Sequence, residues 1–202
     1  KIADEIIIVD SNSTDNTKAI CKANNVKFIE QPFLGYKEQK NFAVSQAKYD
    51  YILSLDGDEA LSTQLSESII KVKKNFAFDG YYVNRYNNYS GQWIKYSNWY
   101  PDRKLRLFKK GKGIWGGINP HDNFKMFLGT TTTRLKGDLL HWNYGTYNEF
   151  DLKTDHFSSI SAQSYFELGR KAPIWRLLLH PTWAFFKSYI LRGGFLDGLN
   201  GF

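Results

Sequence analysis

With 202 residues, 42% of them hydrophobic and 23% charged, the chain holds one domain with a full core and is too short for two large ones. One cysteine, Cys21, excludes an internal disulfide framework, and no clustered Cys/His set points to structural zinc, so a reducing compartment is the easier home. The formal charge of +7 is divided: residues 1–60 hold seven Lys/Arg against ten Asp/Glu, and residues 61–202 hold twenty against ten.

Residues 1–5 lead straight into a strand-like run, without a charged-then-apolar leader, and the lack of an initiating Met just before that strand reads as a fragment. Residues 5–10, EIIIVD, are a continuous β-branched run ending on Asp10, the pattern of a buried parallel strand. The polar stretch 11–17 is predicted to turn into a helix capped by Ser13 or Thr14, with Asp15 in its first turn and Ala19, Ile20 and Ala23 facing the sheet. Residues 26–29 read as a second strand, 31–36 as a loop, and 37–47 as a helix with Phe42, Ala43 and Ala47 inward.

The apolar run Tyr51, Ile52, Leu53, Ser54, Leu55 then stops on Asp56, Asp58 and Glu59. Strand, helix, strand, helix, strand in this order implies right-handed crossovers and a parallel sheet, with Asp10 and Asp56 emerging on one edge. Ligands of open α/β sheets bind at such strand ends. Gly57 lets the backbone turn so that both aspartates approach one hard cation, Mg²⁺ or Mn²⁺, with diphosphate oxygens completing its shell. A D-G-D tripeptide alone is more often an ordinary turn; its position after a buried strand favours the cation.

A helix is predicted over residues 62–75 with Leu65, Ile69 and Val72 on one face, then a long aromatic strand over 81–89, a turn at Gly91 and a return over 93–96. Residues 105–108 are a further strand, 115–123 (WGGINPHDN) a Gly-rich loop able to approach a ligand, 139–142 a last strand, and 147–169 mostly helix. The final residues, 170–202, alternate Trp, Leu, Phe and Tyr with Arg and Lys. The longest run free of Lys and Arg falls well short of the roughly 20 apolar residues a spanning helix needs. Such a segment suits a helix lying in a membrane interface, or one packing on its own domain or on a dimer partner.

VDSNSTDNT (9–17), LGYKEQKNFAVSQA (34–47) and YILSLDGDEALS (51–62) resemble the donor-binding half of a family 2 glycosyltransferase with the GT-A fold. WYPDRKLRLFKKG (99–111), KGDLLHWNYGT (136–146) and the tail GGFLDGLNGF (193–202) are similar to its lipopolysaccharide-core β-1,4-glucosyltransferase branch. The resemblance covers nearly the whole chain. It implies an α/β fold with a mostly parallel, Rossmann-like sheet flanked by helices, a mixed acceptor-side sheet and a C-terminal helical tail, here starting after the family's first β-α unit. The GT-A domain then spans 1–169, with 1–75 for the nucleotide-sugar and 76–169 for the acceptor, and 170–202 is the amphipathic tail.

The implied reaction is an inverting transfer from a UDP-linked sugar, glucose or another hexose, to a lipopolysaccharide-core or other cell-envelope saccharide. Asp58 is the implied metal ligand, Asp56 meets the ribose or a metal-bound water, and Asp10, Ser13 and Lys40 belong to the nucleotide-sugar pocket. The branch's Gly-rich loop commonly ends in His-Glu, and Pro120-His121-Asp122 stands in its place, which makes Asp122 the candidate base and His121 its partner in positioning. Asp138 is the competing base. His141 is a candidate third metal or phosphate contact, against the commoner role of a lone histidine as a structural residue. Trp93, Trp99, Tyr100 and Arg106 are candidates for the acceptor, and the run Arg103, Lys104, Arg106, Lys109 and Lys110 for its phosphate groups, against the plain reading of a solvated face. The implied location is the cytoplasm, peripheral on the cytoplasmic face of the inner membrane. The alternative from another class is a non-catalytic nucleotide-sugar or saccharide-binding module with a truncated GT-A fold. No nucleic-acid motif is present, and G-x-G-x-x-G follows neither strand, which disfavours a dinucleotide dehydrogenase.

Overall fold

The computed structural model describes residues 1–118 and 121–201. Asn119 and Pro120, inside the predicted Gly-rich loop, and Phe202, the last residue of the tail motif, lie outside the described residues. In chain order the elements are β1 (Ile7–Asp10), α1 (Thr17–Ala23), β2 (Lys27–Glu30), α2 (Tyr36–Gln46), β3 (Tyr51–Leu53), β4 (Glu59–Leu61), α3 (Thr63–Lys73), β5 (Gly80–Tyr89) and β6 (Gln92–Trp93). They continue with β7 (Asp102–Lys109), β8 (Gly113–Ile118), β9 (His121–Met126), β10 (Thr132–Tyr144), α4 (Tyr147–Glu167) and α5 (Ile174–Phe185), then a π-helical turn (Phe186–Leu191) and a 3-10 segment (Gly194–Gly201). The architecture is α/β with a mixed sheet flanked by helices. The chain forms two compact units, one of Lys1–Ser54, Ser66–Tyr82 and Leu105–Leu135, the other of Leu55–Leu65, Val83–Lys104 and Lys136–Phe202.

In the first unit, β1 and β2 pair in parallel from Ile7↔Lys27 to Asp10↔Glu30. The helix between them starts later than predicted. Asn16 precedes its first turn without a side-chain cap, Asp15 accepts from the Thr17 N–H at 2.9 Å, and Ser13 is engaged elsewhere. Its buried residue is Cys21, while Ile20 is 60% exposed, so the expected stripe of Ala19, Ile20 and Ala23 is not the packed face. The third strand also departs from expectation: β3 is half-buried and pairs antiparallel with β7, Ile52 opposite Phe108. Periodicity reports burial of a strand and is blind to the direction of its neighbour. Residues 115–123 are not one loop. β8 and β9 form an antiparallel hairpin from Gly113↔Met126 to Ile118↔His121. Trp115 and Phe124 face each other across it and join Leu105 and Phe108 in a buried cluster, against which Val44 of α2 packs.

In the second unit, β4 pairs antiparallel with β10 through Leu61↔Leu139 and Glu59↔His141, and β6 pairs with β5. Across the chain, the hydrogen-bonded order is β3-β7-β5-β10-β4. β10 runs thirteen residues, far beyond the predicted 139–142. Gly137 adopts a φ of +94°, and a Cβ there would collide with the backbone of Gln64 and Leu65, so only glycine lets the strand come this close to the start of α3. The 3-10 segment of the tail is anchored by Asp197, whose carboxylate accepts from the N–H groups of Lys95 at 3.1 Å and Tyr96 at 2.8 Å. Along α5 the apolar residues stay open to solvent, Ile174 at 77% and Leu177 at 73% exposed, and among the described residues no helix is long and apolar enough to cross a membrane.

Phe108 is fully buried and stacks on Phe124 with ring centroids 3.6 Å apart. Phe108→Ala is expected to cost about 3–5 kcal/mol, the range for deleting a core aromatic, read as a lower urea midpoint at unchanged m-value. A cost below about 1 kcal/mol would mean that this cluster is not the packing centre of its unit.

Candidate active site

Asp10 closes β1 and is buried at 8% exposure. Both its oxygens are used by Ser13, whose N–H donates to Oδ2 at 2.7 Å and whose hydroxyl donates to Oδ1 at 2.5 Å. Ser13 therefore holds the acid at the strand end instead of capping the helix, and Asn12 takes the left-handed backbone, φ 63°, that the tight turn requires. Two residues assigned to one pocket from the sequence are in direct contact.

The same unit brings Lys40 to Asp122, Nζ to Oδ2 at 3.0 Å, with the aspartate side chain 6% exposed. The Lys40 ammonium also sits over the indole of Trp115, 4.4 Å from the ring centroid. Neither Trp115 nor its neighbour Asn41 was singled out from sequence, yet they fasten α2 to β8. The Asn41 amide donates to the Trp115 carbonyl at 2.9 Å and accepts from its N–H at 3.0 Å. Strand alternation explains the fate of the His-Asp pair: successive side chains of β9 leave on opposite faces, so His121 is exposed where Asp122 is covered. Gly117 stands opposite Asp122 with φ +113°, where a Cβ would lie 2.8 Å from the His121 carbonyl oxygen. Burial raises the Tyr36 phenol pKa, and the Asp122 charge adds to the effect. Arg106, assigned to the acceptor, is only 3% exposed and lies beside Trp115, 5.7 Å from its ring.

The second unit holds the acidic turn. Asp56 donates its N–H to Glu59 Oε2 at 3.0 Å, and Glu59, fully covered, lies 3.8 Å from Arg85, which grips Asp102 through Nε at 2.9 Å and Nη2 at 2.8 Å. Glu59 thus serves the turn, and Asp58, 44% exposed at its side chain, is the acid that faces outward. The Trp142 N–H donates to the Asp58 carbonyl at 3.0 Å. This extends the β4–β10 ladder by one step and sets His141 Nε2 3.3 Å from Asp58 Oδ2.

His141 is buried, and its Nδ1 lies 2.6 Å from Asn87 Oδ1, while the Asn87 amide donates to the Trp99 carbonyl at 3.1 Å. With the amide so oriented, Nδ1 carries the proton. Nε2 then either carries a second one and pairs with the carboxylate, or presents its lone pair beside it. A carboxylate oxygen and an imidazole nitrogen at this separation suit neighbouring places around one divalent ion, since bonds of about 2.1 Å at a right angle put ligands about 3 Å apart. Asn87 is the outer partner that fixes such a histidine. Among the described residues no group of three or more His, Cys, Asp or Glu converges, so the rest of a shell has to come from elsewhere.

Around this turn the aromatics fall into two sets. Trp93 packs on Tyr86 at 5.2 Å and Trp142 at 5.4 Å, and Tyr86 on Tyr100 at 5.0 Å, whereas Trp99 packs with Tyr89 and Tyr144. The Tyr100 hydroxyl donates to Asp138 at 3.0 Å, which ties the competing base to the first set. Burial raises the Tyr100 phenol pKa, and that hydrogen bond raises it further.

Burial alone would raise the Asp58 carboxyl pKa, but the hydrogen bond and charge of His141 outweigh it and hold it below the ordinary carboxylate value. A carboxyl depressed in the folded state contributes stability above its unfolded pKa and loses it as pH falls through the folded one. His141→Gln is expected to move the Asp58 titration upward and to shrink the stability lost on acidification, followed by carboxyl-carbon NMR and urea unfolding against pH. An unmoved Asp58 titration would show that the pair does not form in solution.

Comparison with known sequences identifies the family. The profile of Glycosyl transferase family 2 matches residues 1–131. A glycosyltransferase of Rickettsia felis is 32% identical over the whole chain and 75% of its own length. The lipopolysaccharide core biosynthesis glycosyltransferase LpsC of Rhizobium meliloti is 30% identical over 98% of the chain and 76% of its own length. The glycosyltransferase GlyG of Streptococcus pneumoniae is 35% identical over 41% of the chain. The chain therefore belongs to glycosyl transferase family 2, and its mixed sheet with flanking helices is that family's GT-A fold.

Proposed function

We propose that the chain moves a hexose from a UDP-linked donor to a lipopolysaccharide-core or related cell-envelope saccharide, by inverting single displacement assisted by Mg²⁺ or Mn²⁺. The observation that carries this is the approach of Asp58 Oδ2 and His141 Nε2 to 3.3 Å, with the histidine tautomer fixed by Asn87. These two residues would hold the ion, whose charge would offset that of the departing diphosphate. Asp56 serves the ribose beside them, and Asp10, held by Ser13, with Lys40, serves the nucleotide. The half 1–75 takes the donor and 76–169 the acceptor. Kinship with LpsC supports the acceptor class.

In the displacement the acceptor hydroxyl gives its proton to the Asp122 carboxylate as its oxygen bonds to the anomeric carbon. The bond from that carbon to the diphosphate oxygen breaks, and its electron pair leaves with the diphosphate. Inversion follows from attack opposite the leaving group. His121 orients the acceptor, and Trp93, Trp99 and Tyr100 offer it aromatic faces. The tail supports peripheral membrane contact, on the cytoplasmic face of the inner membrane. Residues 168–196 contain Arg170, Lys171, Arg176, Lys187 and Arg192 and no Asp or Glu, alongside the open apolar side chains of α5.

One observation favours the rival, non-catalytic reading: Asp122 is covered and ion-paired with Lys40. Two assays decide. Calorimetric titration of UDP is expected to show Mn²⁺-dependent binding that Asp58→Ala and His141→Ala abolish; metal-independent binding would remove the proposed ion site. Asp122→Asn is expected to lower labelled-sugar transfer about 10²–10⁴-fold while UDP binding stays intact. If Asp138→Asn has that effect and Asp122→Asn does not, Asp138 is the base. If UDP binds and no sugar moves, the chain is a binding module.

A further inference from the structure

An open cavity of about 500 Å³ lies in the second unit, lined by Lys95, Tyr96, Ser97, Tyr100, Arg103 and Arg192 among others. Three of these are cations, two from the segment 95–103 and one from the tail, and among the described residues no carboxylate lines the space. Among the described residues, none of the three side chains takes part in an ion pair. The acids nearby are committed: Asp197 to the N–H groups of Lys95 and Tyr96, Asp102 to Arg85 and Lys104, Asp138 to the Tyr100 hydroxyl. Lysines and arginines of a surface run usually make a solvated face. These line one cavity whose wall is hydrogen-bonded to the tail.

The construction is the tail anchor. Asp197 is 6% exposed, and besides its carboxylate bonds its carbonyl accepts from the Gln92 amide at 2.7 Å, while Asn200 donates to Gln92 Oε1 at 2.9 Å. The Ser97 N–H donates to the Arg192 carbonyl at 3.0 Å, which fixes Arg192 at the rim. A buried carboxylate that accepts from two backbone amides keeps the tail against this wall, and among the described residues no ion pair gives the cations of the cavity a counter-charge.

We propose that this cavity is an anion subsite for a phosphate group carried by the acceptor, with Lys95, Arg103 and Arg192 as its ligands and Asp197 as the residue that positions them. Guanidinium forks match phosphate oxygens in pairs, and two of the three cations are arginines. Tyr100 connects the subsite to the aromatic faces offered to the saccharide: it lines the cavity, and its ring packs on Tyr86, which packs on Trp93. Of the basic run 103–110, only Arg103 takes part. Lys104 pairs with Asp102, Lys110 donates to the Ser45 and Ala47 carbonyls, and Arg106 is buried. The subsite rests on the chain being a glycosyltransferase with a saccharide acceptor, and its phosphate comes either from a phosphorylated sugar or from a lipid headgroup.

The test is calorimetric titration of glucose 6-phosphate, and of glucose, into the chain, into Lys95→Gln/Arg103→Gln, and into Lys22→Gln/Lys71→Gln, which removes equal charge from α1 and α3. Both cavity side chains are exposed, so the fold survives their loss, and UDP binding with Mn²⁺ checks it. Flotation with vesicles of phosphatidylcholine and phosphatidylglycerol in equal parts runs alongside. A phosphosugar subsite predicts that glucose 6-phosphate binds better than glucose and that the cavity variant alone loses about tenfold or more of that affinity. A headgroup subsite predicts that only vesicle binding falls in the cavity variant and not in the control. If neither probe distinguishes the two variants, the proposal is wrong. If the cavity variant loses phosphate binding while the unaltered chain binds no UDP, the subsite stands and the donor reading falls.

Discussion

The short ladder between β4 and β10 sets what stands beside the acidic turn. Three residue pairs, from Leu61↔Leu139 to Glu59↔His141, and one further bond from the Trp142 N–H to the Asp58 carbonyl decide which side chain of a thirteen-residue strand stands beside the acidic turn. A slip of one residue would turn His141 to the other face and bring Leu140 or Trp142 to its place. Gly137 keeps the register possible by letting β10 pass against the start of α3, where the Ser62 hydroxyl bonds both the Asp138 and the Leu65 N–H groups. Behind the histidine, Asn87 sets the tautomer, so the position, the face and the protonated nitrogen of one imidazole each trace to a separate contact.

The first unit solves a similar problem with packing. Its hairpin buries Trp115 and Phe124 against Phe108, and the paired bonds between Asn41 and Trp115 lock α2 to β8. Lys40, the residue before Asn41, is thereby delivered to Asp122 and to the indole face. The ion pair holds the Asp122 carboxylate against α2. The apolar cluster and this carboxylate share β9, where Asp122 and Phe124 are two residues apart.

Electrostatics separates what is paired from what is left open. Glu59, Arg85, Asp102 and Lys104 are linked in a chain of ion pairs beside the acidic turn. Among the described residues no ion pair joins Lys95, Arg103 or Arg192 to an acid, and the Asp197 carboxylate accepts from backbone amides. The tail continues the same excess of positive charge along an exposed apolar helix. Charge that a fold leaves uncompensated in a cavity is available to a ligand, whereas charge on a paired surface cluster contributes little.

Much of this protein is written locally. The β-branched run ending on Asp10, the apolar stretch before Asp56, the amphipathic α3 with Leu65 and Ile69 buried, the aromatic strand 80–89 and the helix after Tyr147 all follow from periodicity and capping, and the motif order names the family. Direction and register do not follow, because they depend on partners far along the chain. Nothing in residues 51–53 says that β3 will run antiparallel to β7, and the glycines of 115–123 read as a loop because a hairpin is stabilised by the cluster beneath it. Ser13 or Thr14 reads as a helix cap from sequence, whereas Ser13 bonds Asp10. Asn87, Asn41, Lys95 and Arg192 carry no signal of their own, since an amide or a cation acquires a role only from what tertiary contact sets within about 3 Å of it. The sequence by itself determined the class of fold, the family and the acids on offer; the tertiary structure decided which of them meet a histidine, a lysine or open space, because hydrogen bonds and ion pairs act only at contact distance.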